Sequence, residues 1–376
     1  MAIETTQIRS LISEEGKLRL SLETLDLADP KPHEVTVRME AAPINPSDLM
    51  MLLGPADPST LSFSGSAESP VVEASVPESG MRMVAARVGQ SLPVGNEGAG
   101  IVVAAGESDE AQALLGKTVG LFGGETYSTH RCVPAAMCLP MKEGITAEQG
   151  ASWFVNPMTA LGMTETMRME GHTGLVHTAA ASNLGQMLQK ICNADAIPLV
   201  NIVRREEQAE ILRALNGKHL VNSKSDTFKQ DLVSALRATG STLAFDAIGG
   251  GQLGGDILAA MEVVAAESLD EYNRYGSTTL KQLYIYGSLD FSPTTLQRNF
   301  GFCWGIGGWL LPNFLAKAGG EVMGRMRARV AAEIDTTFAS HYSERVSLAG
   351  ALTPEAMAVY GKQATGAKYL IEPHRS

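Results

Sequence analysis

The alternation of apolar and polar residues predicts β-strands in the first third of the chain. Glu34–Glu40 alternates with the period of two that is typical of a half-buried strand. Glu97–Ala104 and Lys117–Phe122 predict two more strands, and the Gly-Gly pair after the last of them signals a turn. Pro55–Pro93 is rich in Ser, Pro and Glu and contains no Lys, which predicts a long loop. The first part of the chain is therefore predicted to be β-rich.

From about Ala147 the pattern changes to short apolar strands that alternate with helices. The predicted strands are Leu175–Thr178, Ile197–Val203, His219–Asn222 and Leu243–Asp246, and the predicted helices between them are Gly185–Asn193, Arg205–Leu215 and Phe228–Thr239. Such alternation implies right-handed βαβ crossovers and a parallel sheet. The tail, from Ala331 to Pro373, again mixes strand and helix. The pattern therefore indicates an α/β protein with a β-rich part, a βαβ part and a C-terminal segment that returns to mixed strand and helix.

Composition narrows the class of protein. A length of 376 residues suits two domains, and 30 basic against 41 acidic residues give a net charge of −11. This charge disfavours nucleic-acid and anionic-membrane partners, whose binding surfaces would be basic. The four cysteines form no CxxC pair and Met1–Ser10 lacks the apolar core of a signal peptide, so we expect a cytoplasmic protein. Asn299–Ala316 is uncharged, but its glycines and proline favour a buried or interface segment over a membrane span.

The turn after the strand that begins at Leu175 has the context of a dinucleotide-binding fingerprint. A strand ends in a run of small residues that opens a helix, where backbone N–H groups can meet a pyrophosphate. Ala179 and Ser182 stand where glycine is commoner, and only Gly185 remains of that pattern. An ordinary tight βα turn is therefore an open alternative at this position.

The end of the next strand indicates which dinucleotide is bound. Sites for NAD usually place Asp or Glu there, to accept hydrogen bonds from the ribose. This chain has Arg204 and Arg205 instead, and a guanidinium can bind the 2′-phosphate of NADPH. The alternative is that both arginines are solvated or pair with Glu206 and Glu207. We favour NADPH over NADH.

Four ordered segments carry a resemblance to a known superfamily. They are Pro43–Asp48 (PINPSD), Val94–Gly100 (VGNEGAG), Val155–Leu161 (VNPMTAL) and Ala181–Gly185 (ASNLG). In this order and spacing they resemble the zinc-independent medium-chain dehydrogenase/reductase superfamily, which includes NADPH:quinone oxidoreductases and mitochondrial-type trans-2-enoyl-thioester reductases. The resemblance implies a Rossmann doubly wound parallel sheet plus a GroES-like β-rich domain. We predict the first part of the GroES-like domain over residues 1–150, the Rossmann domain over 151–300 and the C-terminal return over 301–376.

The resemblance also implies a set of cofactor-binding residues. They are Asn156, Thr159, the turn residues Ala181, Ser182, Asn183 and Leu184, the 2′-phosphate ligands Arg204 and Arg205, the nicotinamide segment Tyr286, Gly287, Ser288 and Leu289, the aromatic residues Phe302 and Trp304, and Lys368 near the phosphates. Considered alone, Phe302 and Trp304 would be assigned to the core and Lys368 to the surface. The resemblance further implies a homodimer, to whose interface Asn299–Ala316 would contribute.

No metal site is expected. Zinc-containing relatives need a Cys where this chain has Asn45–Asp48 and a His where it has Gly95–Glu97, and neither ligand is present. His130 and Cys132 lie two residues apart on a predicted strand and could face the same side. We treat a metal there as the less favoured alternative.

The expected reaction is hydride transfer from NADPH to a quinone or an α,β-unsaturated carbonyl compound. Asn45 is the candidate catalytic residue because its amide both donates and accepts hydrogen bonds; the alternative is a turn asparagine before a proline. The catalytic tyrosine of the enoyl-thioester reductases falls just after the glycine that corresponds to Gly54, where this chain has Pro55-Ala56-Asp57. A trans-2-enoyl-thioester reductase and a non-catalytic NADPH-binding sensor protein therefore stay as alternatives.

Overall fold

The chain folds into two compact units. The structure, a computed structural model, describes residues 3–362 and 368–375. One unit comprises Met1–Val155 with Arg327–Ser376, and the other comprises Asn156–Met326. Domain boundaries after residues 150 and 300 stay a prediction.

The first unit begins with ten strands and four short helices. The strands are β1 (Ile3–Ile12), β2 (Lys17–Leu27), β3 (Glu34–Pro43), β4 (Ser62–Gly65), β5 (Pro70–Ser75), β6 (Ser91–Pro93), β7 (Glu97–Ala105), β8 (Thr118–Phe122), β9 (His130–Pro134) and β10 (Cys138–Pro140), and the helices are α1 (Leu49–Leu52), α2 (Glu78–Met83), α3 (Asp109–Gln112) and α4 (Ala147–Gly150). One sheet has the order β4-β5-β2-β1-β6. The three strands predicted in this part are present as β3, β7 and β8.

The prediction of a long loop over Pro55–Pro93 was wrong. Strand β5 lies antiparallel to β2 and buries Val72 and Ala74 on one face, and β4 then pairs with β5. All four residues of β4 are exposed at the sheet edge, where Ser62 and Ser64 can face water. Helix α2 packs closely on Pro55, since a Cβ at Gly80 would lie 2.8 Å from the Pro55 Cβ atom. The segment is thus an ordered extension of the sheet.

The second unit is built on a parallel sheet. Its strands are β11 (Leu175–His177), β12 (Leu199–Val203), β13 (His219–Asn222), β14 (Leu243–Asp246), β15 (Gly249–Gly251), β16 (Lys281–Ile285), β17 (Asp290–Thr294) and β18 (Trp304–Gly308), and its helices are α5 (Val155–Met169), α6 (Asn183–Ala194), α7 (Glu206–Ala214), α8 (Phe228–Thr239), α9 (Leu253–Ala266) and the start of α10 (Leu311–Glu333). Six strands form the order β13-β12-β11-β14-β16-β18. The order reverses between β11 and β14, as in a doubly wound fold.

The C-terminal segment Arg327–Ser376 completes the first unit. It contains β19 (Glu344–Val346), α11 (Pro354–Tyr360) and β20 (Tyr369–Ile371). The second sheet of this unit has the order β10-β8-β7-β3-β20-β19, and β9 also pairs with β3. The uncharged stretch Asn299–Ala316 forms β18 and the beginning of α10. Across the described ranges, every helix is too short or too polar to span a membrane.

Candidate functional site

The turn between β11 and α6 lies at the carboxyl edge of the parallel sheet. Doubly wound sheets bind their ligands at this edge, where the strand order reverses. Ser182 caps α6, and its Oγ accepts a hydrogen bond from the Gly185 N–H at 3.2 Å. The Ala180 N–H donates to the Ile202 carbonyl at 3.3 Å, which ties the turn to the end of β12. The predicted residues Ala181, Ser182, Asn183 and Leu184 therefore lie at the carboxyl edge of the sheet.

The one glycine retained in the fingerprint allows a close approach of backbone. A Cβ atom on Gly185 would lie 2.1 Å from the Ala180 carbonyl oxygen, so no other residue lets α6 start here. Ala179 adopts φ +50, in the left-handed region that normally favours glycine. The amino end of α6 lies at this edge of the sheet, and helix amino ends are where proteins commonly bind phosphates.

Two unpaired cations follow the neighbouring strand. Arg204 and Arg205 come directly after β12 and are exposed. The alternative pairing with Glu206 does not form, because Glu206 binds Arg213 at 2.6 Å. Within residues 3–362 and 368–375, no carboxylate pairs with either guanidinium. The turn is thus flanked by two positive charges that the rest of the described chain leaves unneutralised.

The segment Tyr286–Leu289 reaches the same edge. The Tyr286 N–H donates to the Asp246 carbonyl at 3.0 Å, and the Leu289 N–H donates to the Ala247 carbonyl at 3.1 Å. The buried Asp246 carboxylate accepts from the Thr178 hydroxyl at 2.7 Å and so joins the ends of β14 and β11. Gly287 and Ser288 lie within this segment. These contacts bring the predicted nicotinamide segment beside the turn that follows β11.

A buried histidine fixes the Tyr286 ring. The hydroxyl of Tyr286 lies 2.7 Å from His177 Nε2, and the two rings stack. Burial lowers the pKa of His177 to about 3, so its imidazole is neutral at physiological pH. Burial also raises the pKa of the Tyr286 hydroxyl. The pair therefore acts as a neutral hydrogen-bonded support.

A cavity of about 490 Å³ opens beside Tyr286. It is lined by Thr166, Met169, Glu170, Tyr284, Ile285, Tyr286, Gly287, Ser288, Gly308, Trp309, Leu310, Asn313, Phe314 and Lys317. The Tyr284 hydroxyl donates to Glu170 at 2.9 Å, and the Trp309 indole donates to the Thr166 hydroxyl at 3.0 Å. The volume is within the range of small-molecule pockets.

The remaining predicted residues of this unit lie in two different places. Asn156 and Thr159 lie near the start of α5. Farther along this helix, the Thr166 hydroxyl accepts a hydrogen bond from the Trp309 indole, which follows β18. Trp304 pairs with Lys281 at the start of β16, which places it at the amino edge of the sheet. Phe302 precedes it and is 80% exposed. The structure therefore does not bring Phe302 and Trp304 together with the turn after β11.

In the first unit, Asn45 binds a buried carboxylate. Its Nδ2 donates to Glu97 Oε1 at 2.8 Å, and Glu97 Oε2 accepts from the N–H groups of Phe154 and Val155 at 2.7 and 2.9 Å. The Asn45 Oδ1 atom is buried and has no hydrogen-bond partner among the described residues. A buried acceptor without a donor indicates a place for a ligand or a water molecule.

A second buried carboxyl group lies near Glu97. The Asp48 carboxyl accepts from the N–H groups of Asn45 and Asn96 at 2.8 and 2.9 Å. Burial, reinforced by the charge of Glu97, raises the pKa of Asp48 to about 7. Burial also raises the pKa of Glu97. Two buried carboxyl groups with raised pKa values thus lie in this part of the first unit.

Lys368 belongs to the same cluster. Its Nζ donates to Ser152 Oγ at 2.7 Å, and Ser152 Oγ lies 2.9 Å from the Tyr342 hydroxyl. Burial lowers the pKa of Lys368 to about 8, although the Glu97 and Asp48 carboxyls oppose that shift. Sequence reasoning assigned no role to Ser152 and Tyr342. It also gave no role to Asp48 and Glu97, although they are the charged residues of the motif segments Pro43–Asp48 and Val94–Gly100.

The alternative metal site is not assembled. The His130 ring packs edge-on against His374 with centroids 5.6 Å apart, whereas the Cys132 thiol lies 3.6 Å from Glu34. In the part of the chain that the structure describes, His, Cys, Asp and Glu side chains form no group of three or more that could hold a metal ion.

Sequence comparison identifies partial relatives. No protein-family model matches the chain. It is 28% identical over 215 residues to the mitochondrial enoyl-[acyl-carrier-protein] reductase of Xenopus tropicalis, which covers 54% of this chain and 52% of that protein. The human protein of the same name is 24% identical over 234 residues, which covers 59% and 54%. The chain thus matches about half the length of these curated relatives.

Structural comparison extends over the whole chain. A structure from Mesorhizobium loti, assigned as an NADPH:quinone reductase, superposes with a TM-score of 0.73 at 22% identity, covering 99% of this chain and 100% of that one. A mutant enoyl thioester reductase from Candida tropicalis gives 0.68 at 18% identity, covering 98% and 100%. The relatives and neighbours therefore confirm the resemblance to the zinc-independent medium-chain dehydrogenase/reductase superfamily, and this chain has that superfamily's fold, a Rossmann doubly wound sheet with a GroES-like β-rich domain.

Proposed function

We propose that this protein is an NADPH-dependent oxidoreductase that reduces a quinone or an α,β-unsaturated carbonyl compound without zinc. The observation that carries the proposal is the carboxyl edge of the second unit. There, α6 begins beside the close backbone approach at Gly185, and the neighbouring strand is followed by Arg204 and Arg205, which pair with no carboxylate among the described residues. This combination suits a dinucleotide with an additional phosphate.

The residues present fit NADPH. The N–H groups at the start of α6, within Ala181–Leu184, would donate hydrogen bonds to the pyrophosphate. Arg204 and Arg205 would hold the 2′-phosphate through charge-assisted hydrogen bonds. Asn156 and Thr159 would contact the nucleotide, and Tyr286–Leu289 would support the nicotinamide. When bound, the reduced nicotinamide supplies the hydride.

The cofactor assignment is tested by a double variant. Arg204→Ala with Arg205→Ala should weaken NADPH binding roughly 100-fold while leaving NADH binding nearly unchanged, because only NADPH loses its phosphate partners. Isothermal titration calorimetry of both nucleotides measures this. The matched control is Arg213→Ala, since Arg213 is already paired with Glu206 and Glu210. An equal loss for both nucleotides, or no loss, would contradict the phosphate assignment.

Asn45 is the proposed orienting residue in the first unit. Its Oδ1 lacks a donor among the described residues, and Glu97 holds its Nδ2. The amide is therefore fixed in orientation and offers an acceptor to a substrate or ribose hydroxyl. Asn45→Asp keeps the shape, but it replaces the donor to Glu97 with a second carboxyl. We expect this change to lower kcat/KM more than it lowers NADPH affinity.

A trans-2-enoyl-thioester reductase is the second candidate, favoured by the names of the curated relatives. Against it, no tyrosine precedes Tyr127 in the sequence. An assay with NADPH and a 1,4-quinone, a small activated enone and a crotonyl thioester separates the two candidates. Turnover of the quinone or enone supports the first, whereas turnover of the thioester alone supports the second. NADPH binding without any turnover would indicate a sensor protein.

We also propose a homodimer. Strand β18 forms one edge of the six-stranded sheet and carries no charged residue between Trp304 and Gly308. An uncharged edge of this kind is suited to pair with a second copy. Sedimentation equilibrium should give twice the chain mass, and a monomer at all accessible concentrations would contradict the proposal.

A further inference from the structure

Glu97 joins three parts of the first unit that are far apart in the sequence. It is fully buried at the first position of β7. One carboxylate oxygen, Oε1, accepts a hydrogen bond from Asn45 Nδ2 at 2.8 Å. The other, Oε2, accepts from the backbone N–H groups of Phe154 and Val155 at 2.7 and 2.9 Å. Burial raises the pKa of Glu97, and these three donors oppose that shift because they favour the ionised form.

The Glu97 carboxylate allows the Asn45 amide one orientation. An asparagine amide has a donor end, Nδ2, and an acceptor end, Oδ1, which are nearly equal in shape. A carboxylate has no donor, so Nδ2 faces Glu97 and Oδ1 faces away from it. The backbone of Asn45 is also held, because its N–H donates to the Asp48 carboxyl at 2.8 Å and its carbonyl accepts from the Asp48 N–H at 2.9 Å.

The acceptor end of this amide is left without a donor. Asn45 is 2% exposed, and its Oδ1 has no hydrogen-bond partner among the described residues. A buried carbonyl oxygen in this state costs free energy, and a donor from a ligand or an ordered water molecule removes that cost. The amide therefore offers a hydrogen-bond acceptor, and Glu97 is the residue that determines which end of the amide is offered.

We propose that Glu97 is a positioning residue that fixes the polarity of the Asn45 amide, so that Oδ1 accepts a hydrogen bond from an O–H or N–H group of a ligand. This inference rests on the proposed function, in which Asn45 orients a ligand. The donor group can belong to the nucleotide or to the molecule that is reduced. An amide turned the other way would have the same shape, but it would present Nδ2, which cannot accept a hydrogen bond.

The contact between Asn45 and Glu97 can be inverted with little change in its shape. In Glu97→Gln, the two backbone N–H groups need the glutamine oxygen, so the glutamine nitrogen faces Asn45 and two donors meet. Asn45 relieves this contact by turning its Oδ1 toward the new side chain, which leaves Nδ2 in the place of Oδ1. In the double variant Asn45→Asp with Glu97→Gln, the new carboxylate accepts from the new amide. Its second oxygen then restores an acceptor at the position of Oδ1, and the net charge of the pair is that of the wild type.

The kinetic test measures kcat/KM with NADPH for a 1,4-quinone that has no hydroxyl group and for the same quinone with one hydroxyl group. Glu97→Gln should lower kcat/KM about 10- to 100-fold, because a buried donor replaces a buried acceptor. The double variant should recover most of this loss. The melting temperature of each variant is measured alongside, since a merely structural role would lower activity only as far as it lowers stability.

The control and the two quinones make this test specific. The control is Glu34→Gln, because Glu34 also accepts from a backbone N–H group, that of Lys31 at 3.0 Å, but lies outside this cluster. It should leave kcat/KM unchanged. If Glu97→Gln lowers kcat/KM for both quinones, the donor belongs to the nucleotide. If the loss is confined to the hydroxylated quinone, the donor belongs to the molecule that is reduced.

A second measurement requires neither cofactor nor turnover. With asparagine side chains labelled with ¹⁵N, the NMR signal of the Asn45 amide is identified by its loss in Asn45→Asp. Because charge-assisted hydrogen bonds are short and strong, the Nδ2 proton bonded to Glu97 should resonate downfield of other asparagine amide protons. Glu97→Gln should return it to the ordinary range. An unchanged signal would overturn the proposal, because Glu97 would then not hold the amide.

The outcomes separate this inference from the proposed function. If the wild type reduces no quinone but the amide signal moves as expected, the proposed function fails and the fixed polarity of Asn45 is supported. If the wild type is active and Glu97→Gln keeps its kcat/KM, the positioning role is overturned. A loss of activity that follows the loss of stability, without recovery in the double variant, also overturns it. Loss of activity at an unchanged melting temperature, with recovery in the double variant, supports it.

Discussion

The two units each contain a lysine inside a polar cluster, and the two lysines differ in how fully they are bonded. In the second unit, Lys281 is fully buried. Its Nζ donates to the Glu262 carboxylate and, at 2.9 Å each, to the Ser277 hydroxyl and the Thr279 carbonyl. Burial would raise the pKa of Glu262, but the hydrogen bonds from Lys281 and Ser277 outweigh it and lower that pKa. All three donors of Lys281 are used.

Lys368 in the first unit has one N–H donor bonded to a described residue, and the neighbouring Glu97 has a raised pKa rather than a lowered one. In a cluster whose hydrogen-bond donors are all used, both charges are fixed, because any proton transfer would leave a buried group unpaired. The contrast predicts that removing Lys281 lowers the stability of the protein more than removing Lys368 does.

The largest expected effect is on stability in the second unit. Lys281→Met should lower the free energy of unfolding by about 3–5 kcal/mol, because it leaves the Glu262 carboxylate without its buried partner. Urea unfolding followed by circular dichroism measures this. The control is Lys229→Met, whose salt bridge to Asp256 is 76% exposed at the lysine and should be worth less than about 1 kcal/mol. Equal effects of the two changes would contradict the contrast.

Ser277→Ala tests the same cluster at smaller cost. The change removes the hydroxyl that donates to Glu262 at 2.6 Å and accepts from Lys281. We expect a loss of about 1–3 kcal/mol by the same unfolding measurement. Ser268→Ala is the control, because its hydroxyl donates to a carbonyl at an exposed position. A loss of stability no larger than that of the control would show that the Ser277 hydroxyl does not help to hold the cluster together.

Lys368→Met should affect stability far less than Lys281→Met does. Glu97 keeps its three hydrogen-bond donors, and burial lowers the pKa of Lys368 to about 8, so the loss of its charge costs little at pH 8. We expect the free energy of unfolding at that pH to change by about 1 kcal/mol or less. A loss as large as that of Lys281→Met would make Lys368 a structural charge.

The smallest expected effect is a displacement of a pH profile. Glu97→Gln removes the charge that partly offsets the effect of burial on the pKa of Lys368. The titration of Lys368, followed by NMR after reductive ¹³C-methylation, should therefore move to lower pH. Glu40→Gln is the control, because Glu40 pairs with Arg38 outside this cluster. A shift to higher pH after Glu97→Gln would contradict the coupling.

The parallel sheet could be predicted from the sequence because each element carries its own signal. The helix over Phe228–Thr239 and the strands over His219–Asn222 and Leu243–Asp246 have the predicted bounds. The apolar period sets these segments locally, and Gly240 ends the helix in a left-handed conformation. The prediction of Pro55–Pro93 failed because β5 is a strand only through its pairing with β2.

Some residues of the candidate site could likewise be predicted from the sequence, and others could not. Arg204 and Arg205 could be found because they follow a recognisable strand at a known position. Ser152, Tyr342 and Lys368 could not be grouped, since the two hydrogen bonds between them join residues 190 and 216 positions apart. No periodicity or motif reports a contact at that separation. For Phe302 and Trp304 the resemblance predicted a cofactor contact that the structure does not support. The register of β18 places Trp304 beside Lys281, at the amino edge of the sheet.

The most direct test of the central claim is the consumption of NADPH by the wild-type protein in the presence of an activated enone, with the product measured alongside. The claim predicts that NADPH disappears only when the acceptor is present, in one-to-one proportion to the saturated carbonyl product. Tight NADPH binding with no consumption for any quinone, enone or thioester would contradict it and would identify the protein as a binding protein rather than a reductase.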